Sequence, residues 1–191
     1  VDRPYKEDDS LGGFDPYSGS KASADIAIQS YVNSFMKNKN NNVLISTARA
    51  GNVIGGGDWS EGRLIPDCIR AWSKNKKVSV RNPNSTRPWQ HVLEVLIGYM
   101  KLAFYLSKVK NLHGQVFNFG PKLKNKFRVI DVLRESKFRW IKAGWKITKH
   151  KNKFKESKLL HLNSLKSKKT LKWDNSLSFK ESIRLSIEWY K

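Results

Sequence analysis

A tyrosine and a lysine four residues apart, in the run Tyr17-Ser18-Gly19-Ser20-Lys21, are the residues whose types and spacing point most directly to chemistry. Positions i and i+4 share a helix face, so a phenol and an ammonium so placed can point into one site. An ammonium beside a phenol stabilises the phenolate, which makes tyrosine a usable base near neutral pH. Such pairs are common on helices, and the pentapeptide alone favours the reading of an exposed side-chain pair. Other candidates are weaker. His91 could act as a base but reads better as a core or pocket-lining residue. His113, His150 and His161 lie far apart without metal-ligand spacing, and no metal site is expected. Gly55-Gly56-Gly57 lacks the Gly-Lys-Ser/Thr ending of a phosphate-cradling P-loop. Cys68 lies in an apolar stretch and reads as inert core, while Trp189 and Tyr190 read as packing residues of the last helix.

The elements that must position these residues alternate between helix and strand, the α/β pattern. Asp15-Pro16 is a helix start, with Asp as cap and Pro in the first turn. The helix is expected to run to about Met36, with Ala24, Ile28, Tyr31, Val32 and Phe35 on its apolar face. Val43 to Ala48 reads as a short buried strand. A glycine-rich turn at Gly55 to Asp58 follows, then a helix over Leu64 to Ser73 and a short strand at Val78 to Val80. Gln90 to Val92 leads into a helix over Leu93 to Ser107, and Gln115 to Asn118 is a strand closed by Gly120-Pro121. Val129 to Leu133 begins a helix, Lys149 to Lys158 reads as an exposed loop, and a last helix spans Ser178 to Tyr190.

At 191 residues, with 39% hydrophobic and 12% aromatic residues, the chain can bury a core, and disorder throughout is excluded. One cysteine rules out an internal disulfide framework and a cysteine-based zinc site. The most apolar stretch, Val92 to Leu106, is broken by Glu94 and Lys101 and is too short to span a bilayer. The net charge of +21 is uneven: residues 1–100 carry 13 basic and 10 acidic side chains, residues 101–191 carry 24 and 6. Lys outnumbers Arg 27 to 10 and Asn occurs 15 times, which fits codon bias better than a nucleic-acid surface, where Arg is favoured. No specific nucleic-acid partner is expected. A cytoplasmic chain is, because the N-terminus has no apolar signal core.

Gly12-Gly13-Phe14-Asp15-Pro16-Tyr17-Ser18-Gly19-Ser20-Lys21 resembles the active-site helix start of extended short-chain dehydrogenases/reductases, the NAD-dependent epimerase/dehydratase family. The run from Ala48-Arg49-Ala50-Gly51-Asn52 to Gly57-Asp58-Trp59 follows a strand, as in that family. Arg63-Leu64-Ile65-Pro66-Asp67 and Arg81 to Val92 extend the likeness. The Gly-Gly-Gly-Asp-Trp and Arg-Pro-Trp-Gln-His-Val runs are similar to those of the CDP-glucose branch of its nucleotide-sugar dehydratases. The resemblance covers residues 4–121 and returns near 156–191.

The resemblance implies an α/β fold: the C-terminal part of an extended Rossmann fold, a doubly wound parallel sheet, plus a smaller α/β substrate-binding domain. Residues 1–50 would belong to the NAD-binding domain and 51–90 to the substrate-binding part. Residues 91–118 would return to the first, and 119–191, lysine-rich over 122–172, would complete the second. The implied cofactor is NAD and the implied substrate CDP-glucose, dehydrated to CDP-4-dehydro-6-deoxyglucose for surface-polysaccharide synthesis. Tyr17 would act as base and, with Lys21 and Arg49, meet the cofactor. Asn52, Arg63, Arg81, Arg87 and Asn118 would meet the substrate, whose diphosphate needs rigid multi-donor cations. The family's glycine-rich dinucleotide turn and its acid for water elimination lie upstream of the Tyr17 position. The chain is therefore expected to begin within the Rossmann domain and to be poorly active alone. A homodimer is expected when complete. A GDP- or dTDP-sugar dehydratase, or an epimerase, is the nearer alternative, and a basic nucleic-acid-binding module the more distant one.

Overall fold

A computed structural model describes residues 3–13, 15–37, 42–122, 126–148 and 161–191. Helix α1, Pro16–Tyr31, begins where the Asp15 carboxylate accepts the Ser18 N–H and Pro16 occupies the first turn. It ends in a π-helical turn, Val32–Met36. His113 holds that end: its Nε2 lies 3.1 Å from the Met36 carbonyl, and its Nδ1 accepts the Ile45 N–H at 3.0 Å.

Strand β1, Thr47–Ala50, pairs in parallel with β5, Val116–Phe119, in the register Thr47 with Val116 through Ala50 with Phe119. The strand expected over 43–48 thus starts four residues later and ends two residues later. The cause is local. The Ile45 N–H goes to the His113 side chain and the Ser46 hydroxyl to the Gln115 carbonyl, so the ladder begins only beyond them. Strand β2, Val53–Ile54, runs parallel to β4, Gln90–His91. Strand β3, Val78–Val80, runs parallel to β6, Trp145–Ile147. Every pairing between these strands is parallel, and helices supply the crossovers. The molecule is mixed α/β.

Helix α2, Leu64–Ser73, buries Ile65, Cys68, Ile69 and Trp72, spaced at i, i+3, i+4 and i+7. With β3, α4 (Val129–Lys137) and α6 (Phe179–Glu188) it encloses one core around Trp72, Leu133, Ile183 and Ile187. Burial pushes the Cys68 thiol well above its ordinary range, which makes it inert. A second core joins α3 (Val92–Lys108), β5 and α5 (Leu165–Leu171) around Leu102, Phe117, Phe119, Leu171 and Trp173. Gly98 of α3 permits this approach, because a Cβ there would lie 2.5 Å from the Phe119 ring.

The apolar face expected on the first helix is mostly outside the core. Val32 is fully buried, whereas Ala24, Ile28, Tyr31 and Phe35 are exposed, because none of the described residues covers that side. The loop expected at 149–158 lies outside the described residues.

Glu94 joins the two cores. Its Oε1 accepts the Ser176 N–H at 2.8 Å and the Leu177 N–H at 2.5 Å, and its carbonyl accepts the Trp173 indole N–H at 3.0 Å. Replacing it leaves two backbone donors without their acceptor, at about 1–3 kcal/mol. Glu94→Ala should therefore lower the urea-unfolding free energy by about 2 kcal/mol, and Glu94→Gln, which keeps an acceptor, by less. Equal midpoints for Glu94→Ala and the unaltered chain would show that the link carries no load.

Candidate functional site

The start of α1 is held firmly. The Asp15 carboxylate accepts both the Ser18 hydroxyl, at 2.6 Å, and the Ser18 N–H, at 3.0 Å. Those bonds, the hydroxyl first, keep Asp15 below its usual range. One turn on, Tyr17 is 70% exposed and the Lys21 Nζ stands 5.7 Å from the centre of its ring. Neither side chain has an ion pair or hydrogen bond among the described residues. The pair shares a face, as its spacing requires, and is open to an outside ligand.

Asp25 continues that stripe one turn further and is buried. Its Oδ2 receives the Arg49 Nε at 2.6 Å, and the Arg49 Nη1 donates to the Glu7 carbonyl at 3.2 Å. Arg49 on β1 is the register partner of Asn118 on β5. The Asn118 backbone N–H donates to the Glu7 carboxyl at 2.9 Å, and its Nδ2 donates to the Tyr5 carbonyl at 3.2 Å. The segment before α1, α1 itself and both strands therefore meet at one register position. Lys166 flanks it, donating to the Val116 carbonyl at 2.8 Å with its Nζ 4.6 Å over the Phe117 ring. Partial burial lowers its pKa, with Glu7 opposing.

Beyond Ala50, Gly51 and Asn52 lead into a cleft of about 300 Å³ lined by Val53, Ile54, Gly55, Gly56, Asp58, Ser60, Arg63 and Val92. A Cβ on Gly51 would lie 2.7 Å from the Pro88 ring, so the chain passes there only as glycine. Asp58 feels three effects. Partial burial pushes its carboxyl up, but the Ser60 N–H and hydroxyl and the nearby Arg63 and Arg70 outweigh that and hold it below the usual range. Arg63 lies 3.9 Å from Asp58 and is largely exposed, so it remains available to an anion in the cleft.

The residues singled out from sequence fall into three groups. Asn52, Arg63 and the Gly55–Asp58 turn sit at or beside the cleft. Arg49 and Asn118 are engaged at the register position behind it, and the Asn118 Oδ1 is buried without a hydrogen-bond partner. Arg81 is exposed after β3, while Arg87 is half-buried, its N–H on the Phe127 carbonyl and its Nη1 on the Thr86 carbonyl. No hydrogen bond, ion pair or ring contact among the described residues joins α1 to the cleft. Nor do the described His, Cys, Asp and Glu residues gather in a group of three that could hold a metal ion. No described helix is long and apolar enough to cross a membrane.

Sequence reasoning missed Glu7 and Asp25, and read as packing residues Trp189 and Tyr190, which meet the Gly55–Asp58 turn. Asp25 carried a signal, the i, i+4, i+8 stripe of Tyr17, Lys21 and Asp25. The other three meet their partners across long stretches of chain.

The sequence family described as GDP-mannose 4,6 dehydratase matches residues 1–186. The CDP-glucose 4,6-dehydratase of Salmonella typhimurium is 37% identical over 98% of this chain and 53% of that protein. The human dTDP-D-glucose 4,6-dehydratase is 23% identical over 100% of this chain and 52% of that protein. The chain spans about half the length of these relatives. Among solved structures, a Bacillus anthracis dTDP-glucose 4,6-dehydratase in complex with NAD superposes with a TM-score of 0.81 at 21% identity, covering 98% of this chain and 56% of that one. A Bacillus cereus UDP-glucuronic acid 4-epimerase in complex with UDP-glucuronic acid and NAD gives 0.83 at 18% identity, covering 100% and 57%.

His91, at the head of α3, adds a pH-sensitive element. Its Nδ1 accepts the Leu93 N–H at 3.3 Å, and burial pushes its pKa below the ordinary 6.5, with Glu94 partly opposing. The folded state thus favours neutral imidazole. Stability should be fully present above about pH 6.5 and should fall as pH drops from there through the lower folded-state pKa. An NMR titration should place the His91 midpoint below 6.5, and His91→Asn should flatten that part of the stability profile. A midpoint at or above 6.5 would contradict the cause given.

Proposed function

We propose that this chain, which belongs to the GDP-mannose 4,6 dehydratase family, forms the substrate-holding part of an NAD-dependent nucleotide-sugar 4,6-dehydratase that acts on CDP-glucose. The observation that carries the reading is the common anchoring of α1 and β1. The Asp25–Arg49 pair ties the helix bearing Tyr17 and Lys21 to the strand that runs into the Gly55–Asp58 cleft. Ligand crevices of open parallel sheets lie beyond the carboxyl ends of their strands, as this cleft does. The 37% identity to a CDP-glucose 4,6-dehydratase supports the choice of cytidine nucleotide.

The residues present fit the cofactor. The Tyr17–Lys21 stripe is exposed and makes no side-chain hydrogen bond or ion pair among the described residues, so Lys21 can donate to ribose hydroxyls, and Asp25 is already paired with Arg49. NAD, when bound, supplies the capacity to take hydride from C4 of the sugar and return it to C6. This chain's own residues would handle the proton of the C4 hydroxyl and the cofactor ribose. Tyr17 takes the proton of the C4 hydroxyl as the C4 hydrogen departs as hydride, and together these losses leave a C4 ketone. Lys21 stabilises the phenolate during that transfer and orients the ribose. The ketone acidifies the C5 proton, and water leaves across C5–C6.

Arg63 at the cleft and Arg87, with Arg81 beyond β3, are assigned to the diphosphate. Asn52 is assigned as a donor to phosphate or sugar. Arg49 and Asn118 serve the cofactor and substrate from behind, by holding segment 5–7 and α1 in place.

In the full-length protein that contains this chain, CDP-glucose with NAD should yield a 4-keto product detectable by absorbance or NMR. Tyr17→Phe should lower kcat by at least about 100-fold with little change in KM. Near-normal 4-keto product from that variant would remove Tyr17 from the reaction. Faster turnover of dTDP- or GDP-glucose than of CDP-glucose would move the substrate assignment and leave the dehydration standing.

A further inference from the structure

The Gly55-Gly56-Gly57 run makes one wall of the cleft without a side chain of its own to hold it. Glycine backbone is the costliest to order, and Gly57 sits at φ 78°, a conformation that favours glycine. Something else must fix this loop. The last two aromatic residues of the chain do so. The Tyr190 hydroxyl lies 2.7 Å from the Asp58 carbonyl and 3.3 Å from the Gly55 carbonyl, donating across the loop like a staple. The Trp189 ring lies against the loop: a Cβ on Gly56 would collide with it, and one on Gly57 would reach it at 3.6 Å. Trp59, at the far end of the loop, packs edge-on against Tyr190 with centroids 5.1 Å apart, and Trp189 packs the same way at 5.0 Å.

The staple hangs from the core, because α6 buries Ile183 and Ile187 immediately before it. Arg70 completes the arrangement from α2, donating to the Trp59 carbonyl at 2.7 Å and the Ser60 carbonyl at 3.1 Å. Trp189 itself remains 59% exposed, so the residue is not spent on core packing.

We propose that Trp189 and Tyr190 are positioning residues for the cleft: they clamp the 55–60 loop and thereby set its affinity for the nucleotide sugar. The clamp itself rests on the geometry above. Its consequence for affinity rests on the reading given under Proposed function. The clamp holds the carbonyl of Asp58, whose carboxylate lies 3.9 Å from Arg63, and both residues line the cleft. It lies on the substrate side of the chain and leaves α1 untouched. Its loss should therefore act on binding and spare the chemical step.

The test is made in the full-length protein. Tyr190→Phe removes only the hydroxyl and should raise KM for CDP-glucose about 5- to 10-fold, the effect of one lost hydrogen bond, with kcat within about 2-fold. Trp189→Ala should raise KM at least as much, and Trp189→Phe, which restores a flat ring, should recover part of the loss. Hydrogen exchange at the 55–60 amides should quicken in Tyr190→Phe, while the exchange of α2 and α6 stays as it was. Unchanged loop exchange overturns the clamp, whatever the substrate. Quickened exchange with unchanged KM overturns its role in affinity. If the unaltered protein binds CDP-, dTDP- and GDP-glucose not at all, the dehydratase reading fails and the affinity claim with it, while the exchange data still decide the clamp.

Discussion

The arrangement of this molecule depends on a single ion pair, Arg49 with Asp25, whose side chains retain only 21% and 10% of their exposure. Pairs so sheltered give little net stability, because desolvation offsets much of the attraction. Removing one partner, however, strands a charge away from water, at about 3–5 kcal/mol. The pair therefore acts as a locator. An α-helix with so much apolar surface left open could dock in more than one rotation, but only one places Asp25 against Arg49. That rotation puts Tyr17 and Lys21 on the same helix face as Asp25, beyond the pair, where both stay exposed. Because Arg49 also reaches the Glu7 carbonyl and stands opposite Asn118, the same pair fixes the approach of the preceding segment and the register of β1 on β5.

Two cores on either side of Glu94 explain how the remaining parts stay in place. The core around Trp72 carries α2, α4 and α6, and Arg70 of α2 and the two residues after α6 hold the 55–60 loop. The core around Phe117 and Phe119 carries the strand that backs α1. Glu94, on the helix that begins at the cleft edge and runs into the second core, ties the segment before α6 to both. The high positive charge of the second half has little part in this. Most of those lysines are exposed and screened, and the cations near the cleft are arginines.

What could be read from the sequence was local. Helix α2 falls on the residues that its periodicity marks, because four apolar side chains at helical spacing meet one core. The Asp15 cap and the Tyr17–Lys21 face follow from contacts within a few residues of each other. Where long-range contacts compete, the pattern misleads. Val43 to Ser46 is as strand-like as any run in the chain, yet His113 and Gln115 capture its polar groups. Ile28, Tyr31 and Phe35 have the spacing of a core face and stand exposed. Trp189 and Tyr190 read as packing residues because nothing in a helix ending shows that it will meet a glycine loop about 130 residues earlier.

The meeting of Gly56 with the Trp189 ring also constrains the history available to this chain. The two positions exchange volume: there is room for a large ring only because its neighbour has none. A side chain cannot arrive at 56 while the indole is in place, but can once 189 has shrunk. A bulkier residue at 56 therefore goes with a smaller or displaced residue at 189, so these two positions, though far apart in sequence, are coupled through shared volume.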